Sequence, residues 1–98
     1  MQSYKIKITK EALTDMEQIY DYIAYELLSP DTAMKQYNRI SDAISSLGAF
    51  PEKYRCINKR EQRRMLVDNY SVFYVIKEND VIVTNVLYSA SDIEKRLK

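Results

Sequence analysis

The strongest constraint on this chain is a hydrophobic period that changes twice along its length. Tyr4, Ile6 and Ile8 alternate with Lys5, Lys7 and Thr9, and because successive side chains leave a strand on opposite sides, this reads as a strand with one buried face. Leu13, Met16, Ile19 or Tyr20, Ile23 and Leu27 then recur at helical spacing. Thr9 is placed to cap that helix and Glu11 to complement its amino-terminal dipole, which predicts a helix from about Lys10 to Leu28. Ser29-Pro30-Asp31 restarts a helix, with Ser as the cap and Pro at the first position, and Ala33, Tyr37, Ile40, Ile44 and Leu47 form its apolar stripe. Gly48, the only glycine, is expected to end it in the left-handed conformation. So short a connection folds the two helices into an antiparallel hairpin.

Three apolar runs follow, Met65 to Val67, Val72 to Ile76 and Val81 to Tyr88, separated by Asp68-Asn69 and Glu78-Asn79-Asp80. Short runs bounded by turn residues predict three strands in an antiparallel meander onto which the hairpin packs. Val81-Ile82-Val83 suits a central strand buried on both faces. Ser91 and Glu94 match a capping box that opens a short terminal helix, with Ile93 and Leu97 inward. The predicted fold class is α+β: an N-terminal strand, an antiparallel helical hairpin, a three-stranded antiparallel meander and a short C-terminal helix, in one domain spanning residues 1–98.

Composition bounds the chemistry. The chain has 98 residues, 46% hydrophobic and 30% charged, enough for a single small core. No run approaches the roughly 18 apolar residues of a membrane span, and the amino terminus lacks the layout of a secretory signal. A cytoplasmic location is expected. With no histidine and one cysteine, Cys56, neither a disulfide within the chain nor an ordinary zinc site is expected, and no cofactor is implied. Acid–base work would fall to Tyr, Lys, Asp or Glu.

The net charge is +1, yet Lys53, Arg55, Lys59, Arg60, Arg63 and Arg64 crowd one stretch opposed only by Glu61. Such a stretch can hold phosphates or an acidic protein, and it can equally be a solvated loop. Of the nine tyrosines, Tyr4, Tyr37 and Tyr74 sit where periodicity predicts burial, Tyr20, Tyr22 and Tyr25 wrap the first helix, and Tyr70 and Tyr88 carry a site-level argument as stacking or proton-donating groups. Cys56 reads as incidental, since no histidine partners it. The carboxylates Glu11, Asp15, Glu17 and Asp21 spread over the exposed helix surface and read as solvating.

The order of elements and several segments resemble the RelE/ParE superfamily of toxins from type II toxin-antitoxin operons. These are Tyr4-Lys5-Ile6, the stretch from Asp15 to Ile23, Leu47-Gly48-Ala49-Phe50-Pro51, the string from Asn69 to Ile76, Val86-Leu87-Tyr88, and Asp92-Ile93. The ordered series carries the resemblance more than any one piece. It implies a toxin held inactive by a cognate antitoxin, in a toxin–antitoxin hetero-oligomer, whose flexible segment covers the hairpin and a sheet edge. It also implies one of two targets, since RelE-like members cut ribosome-bound mRNA as endoribonucleases and ParE-like members inhibit DNA gyrase. A relative that keeps the fold and the antitoxin but has lost toxicity is the third reading.

Ribonuclease members often carry an arginine after the aromatic that matches Tyr70, where this chain has Ser71, and a basic residue or histidine at the end of the last strand, where it has Leu87, Tyr88, Ser89 and Ala90. The expected catalytic residues are therefore displaced to Arg64 and Tyr88. Arg55, Lys59, Arg60, Arg63 and Tyr70 are the expected nucleic-acid or partner contacts.

Overall fold

Backbone pairing turns the periods of the sequence into one mixed sheet under two helices. The computed structural model describes residues 3–89, and the capping box at Ser91 lies outside them. Strand β1 (Lys5–Ile8) leads into helix α1 (Lys10–Asp21), a π-helical turn (Tyr22–Glu26) and helix α2 (Pro30–Ser46). A short 3₁₀ turn (Pro51–Lys53) and a loop then reach β2 (Arg63–Val67), β3 (Tyr70–Lys77) and β4 (Asp80–Tyr88). The last three form the expected antiparallel meander. β1 adds to its far side parallel to β4, giving the order β1-β4-β3-β2.

Sheet and helices meet over Met65, Val72, Tyr74, Val81, Val83 and Val86 below and Ala12, Met16, Ile40, Ile44 and Leu47 above. The stripe expected on α2 is the one buried, apart from a half-buried Tyr37. On α1 the stripe is rotated: Ala12 is buried and Leu13 is exposed. Ala12, Met16, Ile19 and Ile23 keep helical spacing equally well, and the small alanine lets α1 lie close on β4. Within β4, Val81 and Val83 are buried while Ile82 is only partly covered, so this central strand is less enclosed than expected.

The first helix also differs from the expected uninterrupted run to Leu28. The Leu27 amide reaches back to the Tyr22 carbonyl at 3.1 Å, a five-residue span that widens the last turn. At this turn Ile23 and Ala24 pack together against Ala33. Leu28 follows with φ of 54°. Ser29 does not cap α2 through its side chain, and its hydroxyl bonds Thr32 instead.

Gly48 does not adopt positive φ. Its absent side chain matters for another reason: a Cβ there would lie 3.3 Å from the Tyr4 carbonyl and 3.4 Å from that of Ser45, where the end of α2 passes the start of β1 and the Tyr4 amide donates to the Gly48 carbonyl.

Register along β3 and β4 slips between Phe73 and Tyr74, leaving Thr84 as the extra residue of a bulge. Side chains complete the interrupted ladder. Thr9 accepts from the Ala12 amide as the cap of α1 and donates to the Thr84 carbonyl. Gln62 donates to the Thr84 hydroxyl. Asp15 accepts from the Val86 amide at 2.9 Å and from Asn85. Asp15 is therefore a strut between α1 and β4, where the sequence reading had it solvating the helix.

Candidate functional site

Pairing partners in a sheet project to the same side, so register assigns every candidate residue to a face. Arg63 pairs with Tyr74, Met65 with Val72, and Val67 with Tyr70, which in turn pairs with Tyr88. All of these lie on the helix side. Arg64 pairs with Phe73 and Leu66 with Ser71, so Arg64 and Ser71 lie on the opposite side. The two expected catalytic residues, Arg64 and Tyr88, thus leave the sheet from different faces.

On the side away from the helices, the Arg64 Nε donates to the Ser71 Oγ at 3.1 Å, and the Ser71 and Ser89 hydroxyls share a hydrogen bond of 2.8 Å. Ser71 is fully buried and Arg64 half-buried. The two positions where ribonuclease relatives tend to carry cations therefore touch, and a cation from the neighbouring strand is tied to them. This cluster of one guanidinium and two hydroxyls was missed as a unit, although Ser71 and Ser89 had each been singled out. Phe73, fully buried on the same face, belongs to neither apolar cluster of the core.

On the helix side, the Tyr70 and Tyr88 rings meet at 5.6 Å between centroids, tilted by 58°. Burial, then the neighbouring Tyr88, Tyr22 and Asp68, raise the Tyr70 pKa above the ordinary tyrosine value, so its hydroxyl stays protonated and cannot serve as a base near neutral pH. Tyr88 is 46% exposed and presents an accessible aromatic edge.

The basic stretch divides by role. Arg63 donates to the carbonyls of Glu52 and Tyr54 and so holds the 3₁₀ turn onto the sheet. The Tyr74 hydroxyl bonds the Pro51 carbonyl from the same side. Arg55, Lys59 and Arg60 are exposed. The last two ride a tight turn in which the Asn58 side chain accepts from the amides of Arg60 and Gln62, and Cys56 bridges to Arg63 at its base. The loop thus presents Arg55, Lys59 and Arg60 outward, while Arg63 is spent on anchoring it. Among the described residues, no group of three His, Cys, Asp or Glu side chains is placed to hold a metal.

Solved structures share this architecture. A chain of the chromosomal ParDE toxin-antitoxin system from P. aeruginosa superposes with a TM-score of 0.79 at 19% identity, covering 88% of this chain and 96% of that one. The RelBE2 toxin-antitoxin complex from Mycobacterium tuberculosis gives 0.62 at 16% identity, with 93% and 97% covered. The archaeal RelE-RelB complex from Pyrococcus horikoshii OT3 gives 0.65 at 15% identity, with 93% and 100% covered. No curated protein matches the sequence significantly. The fold is that of the RelE/ParE superfamily. The family model for the ParE toxin of the type II toxin-antitoxin system parDE matches residues 6–93, and the chain belongs to that family.

Proposed function

We propose that this toxin arrests growth as ParE-like members do, by inhibiting DNA gyrase in the cytoplasm without cutting RNA, and that a cognate antitoxin silences it in a hetero-oligomer. One observation carries the reading: the sheet separates Arg64 from Tyr88. Cleaving RNA through its own 2′-hydroxyl needs a base, an acid and a cation converging within hydrogen-bond reach of one phosphate. Arg64 shares its face with two serines, and Tyr70 retains its proton. Gyrase inhibition asks only for a complementary surface, which exposed Arg55, Lys59, Arg60 and Tyr88 can supply.

Inducing the chain alone is expected to stop growth, with plasmids losing negative supercoils and primer extension finding no new mRNA ends. New ends with intact supercoiling would overturn the gyrase reading. Unimpaired growth would instead favour a non-toxic relative.

Arg64 supports a second reading, cleavage of ribosome-bound mRNA. Only its Nε is engaged among the described residues, which leaves the terminal nitrogens for a phosphate. On that reading Arg64→Ala and Tyr88→Phe each lower toxicity at least tenfold while the protein stays folded. On the gyrase reading Arg64→Ala leaves supercoiling inhibition within about twofold.

A further inference from the structure

A relay of side chains joins the bulge in β4 to the basic turn, and neither toxic reading accounts for it. Gln62, half-buried just before β2, uses both ends of its side-chain amide. Its Oε1 accepts from the Asn58 Nδ2 at 3.0 Å, and its Nε2 donates to the Thr84 Oγ1 at 3.0 Å. The Thr84 hydroxyl in turn donates to the Phe73 carbonyl at 3.2 Å, beside the register slip. An extra residue in a strand interrupts pairing and re-aims a side chain. Here it supplies the hydroxyl that Gln62 reaches.

The other end of the relay is the tip of the basic turn. The Asn58 carbonyl accepts from the Glu61 amide at 3.2 Å, and its Oδ1 accepts from the amides of Arg60 and Gln62 at 3.0 and 3.2 Å. The bonds that close the turn around Lys59 and Arg60 thus converge on Asn58. Closure places Glu61 at φ of 59°, in the left-handed region. A non-glycine residue stays there only while its surroundings hold it. Glu61 is exposed, so packing contributes little, and the bonds through Asn58 and Gln62 do the holding.

Arg63 fastens the neighbouring 3₁₀ segment through the carbonyls of Glu52 and Tyr54, but its bonds end short of the tip. Lys59 and Arg60 stand exposed beyond them. Ordering one free backbone residue on contact lowers affinity by roughly five- to thirtyfold, a loss that a preformed turn avoids.

We propose that Gln62 is a positioning residue: backed by the Thr84 hydroxyl, it fixes the basic turn so that Lys59 and Arg60 meet the target of the toxin already ordered. The contact with the target rests on the gyrase reading, whereas the fixing of the turn does not.

The test pairs backbone amide relaxation with inhibition of purified gyrase, both on the full chain. Gln62→Ala is expected to give Lys59, Arg60 and Glu61 fast motion that the wild-type turn lacks. Thr84→Val, which removes the hydroxyl and keeps the shape, is expected to do the same, and Thr84→Ser to keep the turn ordered and inhibition within about twofold of wild type. Lys59→Gln with Arg60→Gln is expected to raise the half-inhibitory concentration by about tenfold or more. Gln62→Ala is expected to raise it about fivefold alone but less than about twofold on top of that pair, because a residue acting through those cations then has nothing left to position. An equal rise in both backgrounds would show general destabilisation and overturn the proposal. So would ordered amides in Gln62→Ala, or inhibition by Thr84→Ser as weak as that by Thr84→Val. A wild-type chain that leaves supercoiling intact would overturn the gyrase reading alone, and the amides would still decide whether Gln62 fixes the turn.

Discussion

At the scale of single residues, neighbouring positions have separate duties because the pleat sends them to opposite faces. Arg63 and Arg64 are adjacent in a basic stretch, yet one anchors a turn and the other joins two serines. The Ser71 hydroxyl satisfies both Arg64 and Ser89 from a fully buried position. Ser71→Ala is therefore expected to cost about 0.5–1.5 kcal/mol, the net worth of a hydrogen bond whose partly buried partners, Arg64 and Ser89, can turn to water, which thermal melting would register as a fall of at least about 2 °C. An unchanged melting temperature would show that water replaces the hydroxyl without loss. Tyr74 offers a pH signature, since burial pushes its pKa up to about 12 from 10.0. The folded state holds that proton more tightly than the unfolded chain, so this contribution is complete below pH 10 and is lost as the pH rises through about 12. Denaturant titrations from pH 9 to 12 are expected to show a steep loss of stability that flattens in Tyr74→Phe. Parallel curves would contradict it.

At the scale of elements, the interlock between α1 and β4 rests on a side chain filling a gap in the ladder. Asp15→Ala removes a charged acceptor from the Val86 amide beside the bulge and is expected to destabilise the chain by about 1.5–3 kcal/mol. Hydrogen exchange at Val86 should accelerate well beyond the change in its neighbours. Asp15→Asn, which keeps an acceptor, should recover much of the loss. Periodicity made both helices and all four strands legible, because burial of one face leaves its mark on every turn and every second residue. Contacts far apart in sequence were hidden. The place of β1 beside β4, the strut from Asp15 to Val86 and the meeting of Ser71 with Ser89 all join residues whose partners only the assembled sheet supplies. The π-helical turn was hidden for another reason: Ile23 and Leu27 fit an unbroken α-helix as well as the widened turn that the structure adopts. Gly48 was legible as special, but a crowded crossing with β1 needs it, not a left-handed φ.

At the scale of the whole molecule, the sheet is a partition. The helix side holds the core, the Tyr70 and Tyr88 pair and the anchor of the basic turn, and the other side holds Arg64 with its serines. A near-neutral chain thereby presents two surfaces of opposite sign, the basic loop of Arg55, Lys59 and Arg60 and a groove of the hairpin lined by Glu17 and Asp21. Steering by such surfaces weakens with salt, because exposed charges are screened over about 8 Å at physiological ionic strength. The most direct measurement of the central claim is a supercoiling assay with purified gyrase, relaxed plasmid and the purified toxin, run beside a ribosome-bound mRNA in the same buffer. The expected result is dose-dependent loss of supercoiling with the mRNA intact. Cleaved mRNA with full supercoiling would contradict it.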